Sequence, residues 1–287
     1  MSSISARVRV VFVAVVAAAV FAGAAQAAPR YVALGDSYAA GPLIPLPLPP
    51  FGCLKSSNNY GHIAQRTLRY AEFRDPSCSG AETEDMTAPQ NVSPGPNPPQ
   101  LDSLSAETAL VTLTIGGNDI GFSSIAEDCF SPTPNSGSPC KDQYTAGGQD
   151  EISRRIAETA PKVAAVLDGI RARSPQALVY VVNYSALFPH TGPGCYPQMP
   201  VADGDVPYLR AKQEELNAML AQQAAAKGAR LVDVYSASVG HDACAPPLLR
   251  WVEPYVPASA AAPLHPNLIG MRAFADLVVQ EMAAAGV

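Results

Sequence analysis

The sequence predicts an α/β protein in which helices cover both faces of a parallel β-sheet. Short apolar runs alternate along the chain with longer stretches whose apolar residues recur at helical spacing. This alternation is typical of parallel strands joined by crossover helices. The proline-rich segments 42–50, 89–99 and 131–139 lie between these elements, and no second core or internal repeat follows them. We therefore predict a single domain over residues 28–287.

Each element has its own signal in the chain. Short runs rich in apolar and β-branched residues predict four strands that are buried on both faces of the sheet. These strands are residues 30–34, 110–115, 177–182 and 230–234, with a weaker fifth strand at 71–74. Apolar residues at helical spacing predict amphipathic helices. The helices are residues 59–70, 150–173, 205–227 and 267–285.

Composition excludes some classes of protein. The 287 residues include 19 Lys and Arg against 25 Asp and Glu, which gives a formal net charge of −6. A protein that binds nucleic acid through its phosphates needs a basic face, so we expect no nucleic-acid partner. Charged residues make up 15% of the chain and prolines number 28. Globular chains average roughly 25% charged residues and roughly 5% proline, so we expect long, ordered loops.

The N-terminus carries the pattern of a secretory signal peptide over residues 1–27. Arg7 and Arg9 precede an apolar run at 10–24, and an Ala-Gln-Ala cleavage pattern follows at 25–27. The apolar run is shorter than the ~20 residues that a membrane-spanning helix needs. We expect this segment to be removed and the mature protein to be secreted to the extracellular space.

Six cysteines lie in loop-like surroundings. The chain has no C-x-x-C and no H-E-x-x-H motif, so we expect no metal site. In an oxidising compartment three structural disulfides are the favoured outcome, although six cysteines allow 15 pairings. We favour the pairing of neighbours, because each bond then closes one irregular loop. That pairing is Cys53–Cys78, Cys129–Cys140 and Cys195–Cys244.

Polar residues follow two of the predicted strands, at the sheet edge where parallel sheets bind ligands. Ser37 ends a Gly-Asp-Ser sequence directly after the first strand, and Asn118 follows two glycines after the 110–115 strand. His265 lies on a loop before the last helix. Each of these residues alone also fits an ordinary turn. The remaining histidines, His62, His190 and His241, are interpreted as structural or exposed.

Together the motifs resemble the four blocks of the SGNH (GDSL) hydrolases, in the order and spread of that family. The blocks are Gly-Asp-Ser at 35–37, Gly80 in Cys-Ser-Gly-Ala, Gly-Gly-Asn-Asp at 116–119 and His-Pro-Asn at 265–267. The chain is most similar to the secreted, three-disulfide lipases and esterases of actinobacteria. The resemblance implies a flavodoxin-like three-layer α/β/α sandwich with a five-stranded parallel sheet, and a carboxylic ester hydrolase that needs no cofactor.

The resemblance also implies roles for single residues. Ser37 is expected to be the nucleophile and His265 the base. The oxyanion hole is expected to consist of the Ser37 N–H, the Gly80 N–H and the Asn118 side-chain amide. We expect the substrate to be a small-molecule or lipid ester, and the protein to be a monomer that contacts lipid interfaces transiently.

One position departs from the family pattern. The family usually has an aspartate three residues before the histidine, and here that residue is Ala262. Some secreted members use a main-chain carbonyl in place of the acid. Our hypothesis is that the Ala262 carbonyl orients His265 in a Ser-His dyad. The alternative is a distant acid: Asp233, Asp242 or Glu253.

The substrate class remains open between acyl esters of medium or long chain, which we favour, and acetylated carbohydrates. The favoured class depends on the apolar segment 42–51, which can form one wall of an acyl-binding groove or pack as a surface loop. An alternative outside enzymes is a non-catalytic module that binds a lipid or glycan. The presence of Ser37, Asn118 and His265 together favours the enzyme.

Overall fold

The computed structural model describes residues 29–284 and 286, so the predicted signal peptide at 1–27 lies outside the described residues. Five parallel strands form one sheet between two layers of helices. The strands are β1 Arg30–Gly35, β2 Glu72–Arg74, β3 Thr108–Thr114, β4 Leu178–Val182 and β5 Arg230–Val232. Their order in the sheet is β2-β1-β3-β4-β5, which is the flavodoxin-like order. The predicted fold class is confirmed, including the weak strand signal at 71–74.

Eight α-helices lie within the described residues. They are α1 Ser37–Ala40, α2 Tyr60–Leu68, α3 Phe122–Asp128, α4 Pro139–Thr145, α5 Glu151–Arg173, α6 Val206–Ala226, α7 Val234–Ala237 and α8 Leu268–Ala284. Short 3₁₀ turns are found at Phe51–Cys53, Thr83–Met86 and Gln100–Ser103. The sequence pattern did not predict α3 and α4, because a helix of seven residues has too few turns to show a period. Among the described residues, no helix is both long and apolar enough to cross a membrane.

Alternate residues of the strands supply two separate cores. On β1, Val32 and Leu34 face a core that is completed by α5 and α6. Tyr31 and Ala33 face the opposite core, which is completed by α2 and α8. Because both faces are covered, the strands are apolar throughout, which explains their continuous apolar runs in the sequence.

A third, smaller apolar cluster lies in the loops that follow β4 and β5. It contains Leu187, Phe188, Met199, Val201 and Leu264. The loop cluster is closed by the Cys195–Cys244 disulfide, whose two cysteines pack against it. The other disulfides are Cys53–Cys78 and Cys129–Cys140, so the structure contains the neighbour pairing that the sequence favoured.

The last strand is shorter than predicted, and the reason is local. β5 ends at Val232 because the Asp233 side chain accepts a hydrogen bond from the Ser236 N–H at 3.1 Å and so caps α7. The residues after the strand therefore turn into a helix at the edge of the sheet. The expected strand at 230–234 was too long by two residues.

Candidate active site

The turn between β1 and α1 places Ser37 at the carboxyl edge of the sheet. Gly35 has a φ of +146°, and a side chain there would lie 2.4 Å from the Thr114 carbonyl oxygen of β3. Only glycine lets the two strand ends approach so closely. Asp36 then caps α1 by accepting the Tyr38 N–H at 2.9 Å, and Ser37 is the first residue of the helix.

The hydroxyl of Ser37 meets the imidazole of His265. The distance between Ser37 Oγ and His265 Nε2 is 2.7 Å, and the distance between His265 Nδ1 and the Pro263 carbonyl oxygen is also 2.7 Å. A carbonyl oxygen can only accept, so Nδ1 carries the ring proton and Nε2 is left to accept from Ser37. Burial lowers the pKa of His265 below its usual range, while the hydrogen bond to Pro263 opposes this shift. The imidazole is therefore neutral near neutral pH.

The carbonyl that orients His265 belongs to Pro263, so the prediction of Ala262 was wrong by one residue. The Ala262 carbonyl accepts the backbone N–H of His265 itself at 3.2 Å, which directs it into the turn. Leu264, with a left-handed φ of +61°, lies between Pro263 and the histidine. This reversal of the chain lets a carbonyl only two residues away reach the ring.

None of the three candidate acids serves as a partner of the His265 ring. Asp233 caps α7, and Asp242 accepts the Cys244 N–H at 2.9 Å. Glu253 is fully buried, and its carboxylate accepts the Asn267 side-chain amide at 2.7 Å. Its backbone also pairs with the histidine loop, because the Glu253 N–H donates to the His265 carbonyl at 3.0 Å. Glu253 therefore supports the loop that carries the histidine.

Gly80 and Asn118 lie on segments that are bonded to the Ser37 turn and to each other. The Cys78 N–H donates to the Gly35 carbonyl at 3.0 Å, and the Asn118 side-chain amide donates to the Ala81 carbonyl at 2.9 Å. Gly80, between these two anchors, has a φ of +79°. Within the described part of the chain, the N–H groups of Ser37 and Gly80 donate to no protein acceptor. Both are available to a ligand.

A buried hydrogen-bond network links the turn that carries Ser37 to the turn at Gly117. The sequence analysis did not predict this network. The Tyr184 hydroxyl donates to Asp36 Oδ2 at 2.5 Å and accepts the Gly117 N–H at 2.7 Å. Burial raises the pKa of Asp36 to about 7, although the hydrogen bond from Tyr184 lowers it. No motif marks Tyr184, because only the fold brings the residues after β4 beneath these turns.

An apolar cavity of about 90 Å³ adjoins the Ser37–His265 pair. Tyr38 and Leu264 line the end next to the histidine, and the Phe122 ring lies edge-on to the His265 ring with centroids 6.4 Å apart. The cavity continues between α3 and the apolar loop cluster. No residue of the segment 42–51 lines it, so of the two alternatives for that segment the surface loop agrees with the structure, and the walls of the cavity come from α3 and the loop cluster.

The other histidines have local partners or are exposed. His62 Nε2 lies 3.4 Å from Asp75 Oδ2, and the His241 ring stacks on Trp251 with centroids 4.6 Å apart. His190 is exposed. Over residues 29–284, no group of three or more His, Cys, Asp or Glu side chains is arranged to hold a metal ion.

Comparison with known proteins assigns the chain to a class of ester hydrolases. Residues 33–273 match the GDSL-like Lipase/Acylhydrolase family, and the chain belongs to this family of carboxylic ester hydrolases. It is 43% identical over 264 residues to Lipase 2 of Streptomyces coelicolor, covering 89% of this chain and 87% of that protein.

Two solved structures share the fold with a TM-score of 0.74. One is an extracellular lipase from Streptomyces rimosus at 26% sequence identity, and the other is a phospholipase A1 from Streptomyces albidoflavus at 24%. In both cases the match covers 88% of this chain and 99% of the other.

Proposed function

We propose that Ser37 and His265 form a catalytic dyad that hydrolyses acyl esters through an acyl-enzyme intermediate. His265 Nε2 takes the proton of the Ser37 hydroxyl as Oγ attacks the ester carbonyl, and then passes it to the leaving alcohol. Water, deprotonated by the same nitrogen, hydrolyses the acyl-enzyme. The observation that carries this proposal is the continuous line from Ser37 Oγ through His265 to Pro263, with both contacts at 2.7 Å.

Three donors would stabilise the oxyanion that forms during each step. The free N–H groups of Ser37 and Gly80 and the second amide proton of Asn118 lie on segments that are bonded together around the nucleophile. Such donors contribute mainly in the transition state, when negative charge develops on the carbonyl oxygen. The Asn118 amide keeps its orientation because its first proton is held by the Ala81 carbonyl.

A carbonyl in place of an aspartate changes what the dyad can do. Pro263 fixes the tautomer and the orientation of the ring, as an acid would. It carries no negative charge, so it stabilises the imidazolium less. We therefore propose that most of the rate enhancement comes from the oxyanion donors and from substrate positioning.

The apolar cavity favours acyl chains of medium or long length over acetyl groups. It is lined almost entirely by carbon, with the Phe122 and Leu187 side chains among its walls. An acetyl group would leave most of that surface without contact, whereas a longer chain would bury it.

Three observations support secretion of the mature enzyme. They are the three disulfides, the signal-like residues 1–27 and the likeness to an extracellular lipase.

The test is a series of p-nitrophenyl esters from acetate to palmitate, assayed with mature, oxidised protein. We expect turnover that peaks at medium or long chains and disappears in Ser37→Ala and His265→Ala. Ser79→Ala is the matched control. It also removes a serine hydroxyl near the site, and the Ser79 hydroxyl has no hydrogen-bond partner within the described residues.

Other outcomes point elsewhere. Turnover confined to acetate would indicate a carbohydrate O-acetylesterase and refute the acyl-chain assignment. Folded protein without turnover on any ester would favour a binding module. Full activity in Ser37→Ala would refute the dyad.

A further inference from the structure

The loop after α1, residues 42–54, exposes large apolar side chains and is called here the apolar rim. It contains no charged residue. The exposed fraction is 58% for Leu43, 64% for Leu46, 56% for Phe51 and 46% for Leu54. Single exposed apolar residues are ordinary on protein surfaces, but four within 13 consecutive residues concentrate apolar surface on one loop, and such a concentration is typical of a contact surface.

Three of these residues also have an unfavourable backbone conformation. The φ angles of Leu43, Leu46 and Leu54 are +62°, +70° and +53°. This left-handed region is ordinarily occupied by glycine or asparagine, because other side chains crowd the following carbonyl. Exposure leaves these leucines little packing within the protein to offset that strain. Contact with a partner outside the protein would therefore bury more of their apolar surface than the protein itself does.

The apolar rim is held in a fixed shape. The Leu48 N–H donates to the Lys55 carbonyl at 2.8 Å, and the Ser57 N–H donates to the Leu46 carbonyl at 3.0 Å. Ile44, in contrast to its neighbours, is buried in the core beneath α8. The exposed side chains are thus presented by a rigid segment, which loses little conformational entropy on contact.

The apolar rim is attached to the Ser37 turn, to the histidine loop and to the segment that carries Gly80. It begins after Gly41, whose N–H donates to the Ser37 carbonyl at 3.0 Å and ends α1. The Pro42 carbonyl accepts the Ala262 N–H on the histidine loop at 3.0 Å. The Cys53 carbonyl accepts the N–H of Ser79, the neighbour of Gly80, at 3.0 Å. The patch is therefore continuous with the surroundings of the site.

We propose that the apolar rim inserts Leu43, Leu46, Phe51 and Leu54 into the surface of an aggregated, uncharged or zwitterionic ester lipid. This places the Ser37 site against the surface that contains its substrate, and it rests on the ester-hydrolase function proposed above. The absence of charge from the loop and the net charge of −6 on the chain favour such a surface over an anionic one.

The test measures binding without turnover, in a Ser37→Ala background, by cosedimentation with phosphatidylcholine vesicles. The variant replaces Leu43, Leu46 and Leu54 with asparagine, which tolerates the left-handed conformation. Because three partly exposed leucines no longer enter the lipid, we expect partitioning to fall at least about tenfold. We expect the urea midpoint of unfolding to stay unchanged or to rise. The control is Leu248→Asn, since Leu248 is 86% exposed outside the rim; it should bind as its parent does.

Several results would overturn the proposal. One is undiminished vesicle binding in the triple variant, and another is an equal loss in Leu248→Asn. A third is tighter binding to anionic phosphatidylglycerol vesicles than to phosphatidylcholine. A lower unfolding midpoint in the triple variant would assign the leucines to stability instead.

Activity measurements separate this proposal from the proposed chemistry. With Ser37 restored, we expect the triple variant to hydrolyse dissolved p-nitrophenyl butyrate as fast as the parent. A loss on the dissolved ester would mean that the rim shapes the site rather than contacts lipid. If the parent itself has no esterase activity, the proposed function fails, while the vesicle experiment still decides whether the rim binds lipid.

Discussion

Replacing Tyr184 with phenylalanine tests whether the buried network beneath the site holds the two turns together. The change removes one oxygen atom and keeps the ring. Two atoms then lose their partner: Asp36 Oδ2, which accepts from the hydroxyl at 2.5 Å, and the Gly117 N–H, which donates to the hydroxyl at 2.7 Å. Both lie in the buried interior, where water cannot replace the lost oxygen without a rearrangement.

The size of the effect follows from the two lost contacts. A hydrogen bond to a charged group contributes about 1.5–3 kcal/mol, and a buried N–H left unsatisfied costs about 1–3 kcal/mol. We therefore expect Tyr184→Phe to lower the free energy of unfolding by about 2.5–6 kcal/mol at pH 8. That is a large share of the roughly 5–15 kcal/mol that stabilises a typical domain.

The loss of stability in Tyr184→Phe should also depend on pH, and the pKa of Asp36 sets the direction of that dependence. The pKa of Asp36 is raised to about 7 in the folded state, so between pH 7 and pH 4 the folded state binds more protons than the unfolded state. Acidification over this range therefore stabilises the fold, because it neutralises the buried carboxylate. Without Tyr184 the pKa rises further. At pH 5 Asp36 is protonated in both folded proteins, so the hydrogen bond lost at Asp36 is one to a neutral carboxyl, which contributes about 0.5–1.5 kcal/mol instead of about 1.5–3 kcal/mol. The destabilisation should then be smaller than at pH 8 by about 1–1.5 kcal/mol.

Equilibrium urea unfolding of both proteins at pH 8 and pH 5 provides the measurement. Other carboxylates, such as Asp75, whose pKa is lowered, change stability in both proteins alike and cancel in the difference. Tyr235→Phe is the matched control, because the Tyr235 hydroxyl donates to Glu214 at 2.8 Å on the exposed surface. It should cost less than about 1 kcal/mol. A pH-independent loss, or one no larger than the control's, would refute the reasoning.

Three further predictions concern activity. Burial lowers the pKa of His265, and the protonated ring cannot accept the Ser37 proton. As the pH is raised, kcat/KM should therefore rise to its plateau through a pKa below the usual ~6.5. An apparent pKa above 7 in this pH profile would contradict the prediction. Asn118→Ala should lower kcat by ~10²–10³ in steady-state assays while CD spectra stay unchanged; a change in KM alone would remove Asn118 from the oxyanion hole. Ala126→Phe, on the cavity wall, should lower the palmitate-to-acetate activity ratio at least about tenfold. An equal loss on both esters would count against an acyl cavity.

The parts of the molecule that could be predicted from sequence are those with short-range causes. A strand that is buried on both faces must be apolar throughout, and a sharp turn after it needs glycine, so β1 and Gly35 are visible in the chain. The order of the strands came from the family resemblance. Neighbour pairing of the cysteines held because each pair closes a local loop.

The parts that could not be predicted depend on directions that only the folded backbone sets. Ala262 and Pro263 both offer a carbonyl near His265, and the left-handed φ of Leu264 decides between them. Tyr184 has no local signal, because its partners come from two other turns of the chain. The cavity wall comes from α3 and the loop cluster, which are distant in sequence from the nucleophile.

The contact between Ser37 and His265 spans 228 positions, and this separation affects when the enzyme can begin to work. All five strands are complete at Val232, so a chain that stops there has the serine, the asparagine and the whole sheet without the proposed base. With His265 as the proposed base, activity needs the chain to be synthesised and folded through the histidine loop. Under the proposed mechanism, a protein clipped before His265 keeps its sheet and its serine but is inert towards esters, so its activity reports folding of the chain through the histidine loop.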